Sequence, residues 1–188
     1  MAIGHQGFDH TFDAVVFVGY HASEYQYNAI LWHMEDGDKI SAVRLNGVAM
    51  PEAGFNAAIA GDFGVPVVFL SGDKAACEEA IHLLGPIETC IVKSGSGFYS
   101  GTMLHPGKTQ RMIREGVKRG VARRLQLKPY RVAHPVKLEI TFKETFYAEI
   151  DSYFRNVERP TANSIVYTAT DMTDASRFLN AIGYLNDE

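Results

Sequence analysis

The chain has 188 residues, of which 46% are hydrophobic and 21% are charged, and its formal net charge is −4. This length suits one domain, or one domain with a small subdomain. The aliphatic and aromatic content excludes a disordered chain, and no apolar run approaches the roughly 18 residues of a membrane span. Two cysteines argue against a disulfide framework. The mild acidity argues against general nucleic-acid binding.

The first predicted elements are a strand, a hairpin and a helix. Residues 14–20 form an apolar, β-branched run that is typical of a buried parallel strand. No basic segment followed by a signal-type apolar stretch precedes it, so we expect a cytoplasmic protein. Residues 39–45 and 48–50 flank Asn46-Gly47, a dipeptide that favours a type I′ turn and predicts a β-hairpin. A short helix is predicted over residues 52–62.

The later elements alternate between strands and helices. Residues 65–70 predict a second buried strand, after which Asp73 is a suitable N-cap for a helix that Gly85-Pro86 ends. Asp171 is placed to cap the last helix. The remaining predictions are a strand at 88–93, a flexible loop at 94–97, a helix from Pro106 to about residue 125, strands at 136–142 and 164–170, and a helix at 172–184.

This alternation predicts an α/β fold with a central mixed or parallel sheet flanked by helices, a β-hairpin excursion and a small C-terminal α+β part. A soft boundary falls at residues 127–135, where two prolines and several basic residues follow the long helix. We therefore divide the chain into residues 1–130, an α/β domain, and residues 131–188, a C-terminal subdomain.

Basic residues are concentrated between residues 108 and 131, where nine lysines and arginines accompany one acidic residue, Glu115. One interpretation is an anion-binding or nucleic-acid face. The interpretation that we favour is a solvated helix face whose charges pair with the acidic remainder of the chain or with a neighbouring subunit. The stretch contains no interleaved aromatic residues on which bases would stack.

Two histidines are candidates for chemistry because of where they follow the first strand. His21 comes directly after that strand, and ligands of parallel α/β sheets gather beyond the carboxyl ends of strands. Histidine is also a common metal ligand. His33 lies a loop later. The alternative for either residue is an ordinary capped or solvent-facing side chain.

A carboxylate and an amide complete the set of candidates. Glu52 follows Pro51 at a predicted helix start, where an acidic residue commonly complements the positive end of the helix. Asn56 lies one helical turn later and faces the same way. Two histidines and one glutamate would make a sensible zinc or catalytic cluster, although spacing alone does not bring them together. The other histidines, which carry weaker signals, are His5, His10, His82, His105 and His134.

Several motifs, taken in order, resemble those of the D-aminopeptidase family of zinc peptidases, peptidase family M55. The likeness covers most of the chain to about residue 124 and the remainder more loosely. The motifs are G-Y-H-A at 19–22, His33, V-R-L-N-G at 43–47, P-E-A-G-F-N-A at 51–57, F-G-V-P-V at 63–67, S-G-D at 71–73, and V-K at 92–93 leading to L-H-P at 104–106.

The resemblance implies a ring-like homo-oligomer with two zinc ions in each active site, which removes N-terminal D-amino acids from short peptides. It makes residues 1–130 the C-terminal portion of the catalytic domain. It also makes His21 and Glu52 zinc ligands, and His33 the catalytic histidine. Asn56 is then expected to contact the substrate. Neither nucleic acid nor a membrane is an expected partner.

The chain lacks two segments that the family carries in its N-terminal third, D-x-E-G and N-D-S-H, which supply the other zinc ligands. We therefore expect a truncated or split enzyme that is incomplete alone, with an N-terminal partner chain as one source of the absent ligands. The alternatives are a binding or assembly subunit without chemistry, and a different hydrolase whose remaining ligands come from His5, His10 or Asp9.

Overall fold

The computed structural model describes residues 7–185, which contain nine strands and five α-helices. No helix in this range is long and apolar enough to cross a membrane. In chain order the elements are β1 Val15–Tyr20, β2 Ile40–Leu45, β3 Val48–Ala49, α1 Glu52–Asp62, β4 Val67–Asp73, α2 Lys74–Leu84, β5 Glu88–Gly97, β6 Ser100–Met103, α3 Pro106–Ala122, a 3₁₀ turn Arg124–Gln126, β7 Val136–Phe142, α4 Thr145–Asp151, β8 Val157–Glu158, β9 Ser164–Ala169 and α5 Met172–Leu185.

The first sheet has the strand order β1-β4-β5-β6. Strands β1, β4 and β5 run parallel, and β6 is antiparallel to β5. Every residue of β4 is buried, as is typical of a strand covered on both faces. The predicted α/β class with a mixed sheet flanked by helices is confirmed.

The second sheet joins the hairpin to the C-terminal strands. Its order is β3-β2-β7-β9-β8, and its pairs are antiparallel. The hairpin turns through Asn46 at φ 49° and Gly47 at φ 84°, the two positive angles that a type I′ turn requires. Because β2 pairs with β7, strands from both sides of residue 130 share one sheet. The division into residues 1–130 and 131–188 stays a prediction.

Helix α1 lies between the hydrophobic cores of the two sheets. Phe55 and Ile59 pack into the core formed by the second sheet and α5, whereas Ala53 and Ala57 pack into the core beneath the first sheet. Almost every residue after Glu52 is therefore buried. This double packing places the N-terminus of α1 at a defined point beside the end of β1.

Most predicted boundaries agree with the structure, and the differences have identifiable causes. Residues 94–97, predicted as a flexible loop, continue β5 because they pair with β6 in an antiparallel hairpin. Strand β4 extends to Asp73, and α3 ends at Ala122 rather than near residue 125. Strands β6 and β8 and helix α4 are not predicted, since all three are short and lack a strong apolar period.

The basic stretch is partly neutralised by acidic neighbours. Arg119 of α3 and Arg123, the residue that follows this helix, both bind Glu88, at 3.0 and 2.9 Å. Lys118 pairs with Glu115 in the same helix at 3.0 Å. These contacts agree with the interpretation of this stretch as a charged face that pairs with acidic residues of the chain.

Candidate metal centre

His21 is held at the carboxyl edge of the first sheet. It follows Tyr20, where β1 ends, and Gly19 adopts φ 82° just before the chain leaves the sheet. Gly72 of the neighbouring strand β4 lies so close that a Cβ there would meet the Tyr20 carbonyl oxygen at 2.5 Å. The end of β1 is therefore fixed by backbone packing, and the direction of His21 with it.

Glu52, the first residue of helix α1, lies beside His21. It is the only acidic residue in the first turn of that helix, where a carboxylate interacts favourably with the helix dipole. Its Oε2 atom lies 3.4 Å from Nε2 of His21, and the two side chains are 14% and 16% exposed. The helix terminus and the strand end thus meet through these two residues.

His33 lies in the loop that connects β1 to β2. Its Nε2 atom is 4.0 Å from Oε2 of Glu52, and its ring stacks on that of His21 with the centroids 3.7 Å apart and the planes 18° apart. The ligand atoms of His21, His33 and Glu52 all lie within 4.8 Å of one another. The structure therefore brings together the three candidates that the sequence could not connect.

The loop that carries His33 is anchored to the β5–β6 hairpin and to β4. The Leu31 amide donates to the Phe98 carbonyl at 3.0 Å, and the Gly95 amide donates to the Asn28 carbonyl at 3.1 Å. The Ile30 amide points to the carboxylate of Asp73 at 3.3 Å. Within the loop four non-glycine residues have positive φ angles, a backbone conformation that is uncommon outside glycine; they are Tyr25, Asn28, Leu31 and Glu35.

Both histidine rings present the same nitrogen to Glu52. Nδ1 of His21 lies 3.1 Å from the Ala22 carbonyl oxygen, and Nδ1 of His33 lies 2.7 Å from the Leu31 carbonyl oxygen. A carbonyl oxygen only accepts, so each Nδ1 carries the hydrogen. In the neutral ring Nε2 is then left with a free lone pair, which is the arrangement that metal-binding histidines use.

His21 and Glu52 stabilise each other's charged forms. Burial disfavours the imidazolium form of His21, but the hydrogen bonds and the negative charge of Glu52 outweigh it and raise the pKa of His21. Burial likewise works to raise the pKa of Glu52, yet the contacts with the histidines hold that pKa below its ordinary value. Both shifts favour the charged forms of His21 and Glu52.

Asn56 is buried one turn behind Glu52, with 1% of its surface exposed. Its Nδ2 atom donates to the hydroxyl of Tyr20 at 3.0 Å. Its Oδ1 atom has no hydrogen-bond partner among the described residues. Burial raises the pKa of the Tyr20 phenol, so Tyr20 stays neutral at physiological pH.

The remaining candidate ligands lie elsewhere. His105 caps α3 by accepting a hydrogen bond from the Gly107 amide at 3.2 Å, and His134 binds Asp62 at the far end of α1. Asp9 accepts hydrogen bonds from Thr11. Neither Asp9 nor His10 belongs to the cluster found among residues 7–185. His5 lies outside the described residues.

The sequence does not single out three residues that lie near the cluster. Tyr20 is predicted only as the end of a strand, although its hydroxyl contacts Asn56. Glu24 and Glu35 each have a buried carboxylate oxygen without a hydrogen-bond partner in the described part of the chain. The one available signal was their position in the sequence, three residues after His21 and two residues after His33.

Fold and cluster together define a class: an α/β protein with a compact His-His-Glu group, a set of donors that zinc accepts, at the carboxyl edge of a largely parallel sheet. The family model for the D-aminopeptidases of peptidase family M55 matches residues 3–181. The chain therefore belongs to peptidase family M55.

Two relatives give the extent of the similarity. A curated D-aminopeptidase of Bacillus subtilis (strain 168) is 29% identical over 171 residues, which are 90% of this chain and 62% of that protein. The solved structure of the Zn-dependent D-aminopeptidase DppA from Bacillus subtilis, a self-compartmentalizing protease, superposes with a TM-score of 0.91 and 26% identity, covering 96% of this chain and 65% of that chain. The chain thus spans a little under two thirds of the length of these relatives.

Proposed function

We propose that this chain is the metal-binding part of a zinc-dependent aminopeptidase that acts on short peptides with an N-terminal D-amino acid. The observation that carries the proposal is the cluster of His21, His33 and Glu52, in a chain whose fold matches a Zn-dependent D-aminopeptidase at a TM-score of 0.91. Imidazole nitrogens and a carboxylate oxygen are donors that zinc accepts, so the residues present fit the metal.

In this proposal each residue has one task. His21 and Glu52 hold zinc, which when bound polarises a peptide carbonyl and lowers the pKa of a bound water. His33, 38% exposed and the most accessible of the three, moves protons to and from the substrate. Asn56 contributes its Oδ1, which has no hydrogen-bond partner in the described part of the chain, to the substrate side of the site. Because Asn56 is buried, it acts on a substrate only if the peptide reaches the floor of the site.

The complete site of this proposal holds two zinc ions, which need more donors than the cluster contains. We propose that the portion of the family fold not covered by this chain supplies them, either on the same polypeptide or on a partner chain. We further propose a homo-oligomer, because DppA is described as self-compartmentalizing, and a cytoplasmic location.

The competing proposal is a binding or assembly protein that has kept the fold and lost the chemistry. It is favoured by the same shortfall of donors. A stable oligomer that forms without metal and hydrolyses no peptide would support it.

The test measures hydrolysis of dipeptides that differ only in a D- or L-residue at the N-terminus, with the zinc content determined on the same sample. In the protein completed by the portion of the fold that this chain does not cover, we expect zinc-dependent cleavage that prefers the D-residue, and its loss in His21→Ala and Glu52→Ala. His82→Ala, which removes a histidine from the exposed face of α2, is the matched control. Full activity in both site variants would refute the proposal.

A further inference from the structure

We propose that a group of aromatic side chains beside His33 binds the side chain of the second residue of the peptide, and selects peptides in which this side chain is large and apolar. The group, the aromatic cluster, consists of Tyr25, Trp32, Phe98 and Tyr99. The inference rests on the proposed function for the nature of the substrate, a short peptide, and adds the class of side chain that this peptide carries.

The four rings form a continuous apolar surface. The ring centroids of Tyr25 and Trp32 are 5.0 Å apart, and those of Trp32 and Phe98 are 4.9 Å apart. The rings of Phe98 and Tyr99 follow at 4.6 Å. These distances are typical of favourable aromatic pairs, yet Tyr25, Phe98 and Tyr99 are 68%, 37% and 86% exposed. Contiguous exposed apolar surface indicates a binding site, whereas a single exposed ring does not.

Two segments of the chain build this surface, and their backbones pack against each other. The first two rings lie in the β1–β2 loop, and the last two form the turn between β5 and β6. The Gly95 amide donates to the Asn28 carbonyl oxygen at 3.1 Å, and a Cβ on Gly95 would collide with that oxygen. This close contact positions the rings before any ligand binds, which lowers the entropic cost of binding.

The aromatic cluster begins one residue from His33, because Trp32 precedes it directly. The Nδ1 atom of His33 donates to the Leu31 carbonyl oxygen at 2.7 Å, and the Leu31 amide donates to the Phe98 carbonyl oxygen at 3.0 Å. Leu31 has a φ of 51°, a conformation that costs energy for a non-glycine residue and that surrounding contacts must enforce. One residue therefore orients the ring of His33 and holds the turn of the β5–β6 hairpin.

The role proposed for His33 decides which part of the peptide lies against the aromatic cluster. Hydrolysis breaks the bond between the carbonyl carbon of the first residue and the nitrogen of the second. Water supplies a hydroxyl group to the carbon and a proton to the nitrogen, and the residue that delivers this proton must lie within hydrogen-bond reach of the nitrogen. The second residue therefore lies beside His33, where its side chain reaches the adjacent rings. Since aromatic rings bind apolar side chains through buried area and ring contacts, phenylalanine should be preferred to glycine at this position.

The first experiment measures binding by the emission of Trp32, the single tryptophan of the chain, during titration with D-Ala-L-Phe and with D-Ala-Gly. We expect D-Ala-L-Phe to change the emission and to bind at least about ten times more tightly, the ratio that burial of one aromatic side chain supplies. Phe98→Ala and Tyr99→Ala should reduce this ratio. Tyr153→Ala is the matched control and should preserve it, because it removes a ring that is 74% exposed in the turn after α4.

The second experiment compares kcat/KM for the same two dipeptides in the protein completed by the portion of the fold that this chain does not cover. We expect a similar preference for D-Ala-L-Phe and its decrease in Tyr99→Ala, with circular dichroism verifying that the variant folds. Equal binding of the two dipeptides, no binding of either, or an unchanged ratio in both Phe98→Ala and Tyr99→Ala would overturn the inference. So would loss of self-association in Tyr99→Ala at an unchanged ratio, since the aromatic cluster would then be an interface between copies of the chain.

These measurements separate the inference from the proposed function. Selective binding of D-Ala-L-Phe without hydrolysis of either dipeptide would support the inference and count against the proposed function. Zinc-dependent hydrolysis of both dipeptides with equal kcat/KM would leave the proposed function standing and contradict the inference.

Discussion

At the scale of single residues, the fold half-buries two carboxylic acids near the cluster, Glu24 and Glu35. Burial raises the pKa of Glu24 to about 7, and the nearby charge of Glu79 adds to the shift. Burial also raises the pKa of Glu35. A carboxyl group whose pKa is higher in the folded state than in the unfolded state binds its proton more tightly in the folded state. These residues therefore stabilise the folded protein more at low pH than at high pH.

The prediction at this scale concerns Glu24. Its folded-state pKa of about 7 lies above the ordinary value of 4.5, so its contribution to stability is complete below pH 4.5 and is lost as the pH rises through 7. Glu24→Gln should remove that loss. Between pH 5 and pH 8, the free energy of unfolding of the variant should therefore rise relative to that of the wild type by on the order of 1–2 kcal/mol, after allowance for solvent screening.

Urea unfolding at the two pH values measures this difference. Glu78→Gln serves as the control because Glu78 is an exposed residue of α2, with 64% of its side chain accessible. The prediction fails if the stability of Glu24→Gln changes with pH as much as that of the wild type.

At the scale of elements, helix α3 contacts the first sheet through glycines. Its fully buried residues are Gly116 and Gly120, which lie one turn apart. A Cβ on Gly116 would meet the ring of Phe69 at 2.4 Å, and a Cβ on Gly120 would meet the carbonyl oxygen of Val68 at 2.5 Å. The helix therefore lies nearer to β4 than side chains on this face would permit.

Gly120→Ala should for this reason destabilise the protein, because the neighbour that must move is backbone of a buried strand. We expect a loss of about 1–3 kcal/mol, the usual cost of overpacking, even though alanine favours the helix. Gly183→Ala in α5 makes the same change where a Cβ meets nothing within 4 Å, and should be neutral or stabilising by up to about 1 kcal/mol. Thermal unfolding compares the two, and equal midpoints would contradict this account of the packing.

At the scale of the whole molecule, the two sheets are joined rather than merely adjacent. Helix α1 contributes to both cores. At its C-terminal end, Asp62 accepts hydrogen bonds from the Met172 amide at 2.7 Å and contacts His134 at 2.9 Å. These contacts connect α1 to the segment before β7 and to the start of α5, so the loss of either sheet exposes the core of the other.

We therefore expect the chain to unfold in one cooperative transition. Fluorescence of Trp32, the single tryptophan, reports on the loop beside the first sheet, and far-UV circular dichroism reports on the whole chain. The two urea curves should coincide. Separate transitions would instead show that the two sheets unfold independently.

Much of the local structure follows from the sequence. Asn46-Gly47 is sufficient to predict the hairpin because few dipeptides tolerate two positive φ angles. Asp73 caps α2 as predicted, accepting a hydrogen bond from the Ala76 amide at 2.8 Å. Asp171 does the same for α5 through the Asp174 amide, also at 2.8 Å. Each of these signals depends on residues within a few positions of one another.

The sequence could not show which strands are neighbours. The pairing of β2 with β7 joins residues nearly a hundred positions apart, and the hydrophobic pattern of either strand would serve in several arrangements. Residues 94–97 look like a loop because serine and glycine have little strand preference. They extend β5 because β6 returns alongside them to satisfy their backbone hydrogen bonds.

The candidate site also depends partly on local sequence signals and partly on contacts between distant residues. Residue type and local position made His21, His33 and Glu52 candidates, and the resemblance to the D-aminopeptidase family gave them their expected roles. That their donor atoms lie within 4.8 Å of one another was decided only by the tertiary structure. The packing of α1 between two cores and the anchoring of the loop to β5 set those distances, and both depend on contacts between residues far apart in the chain.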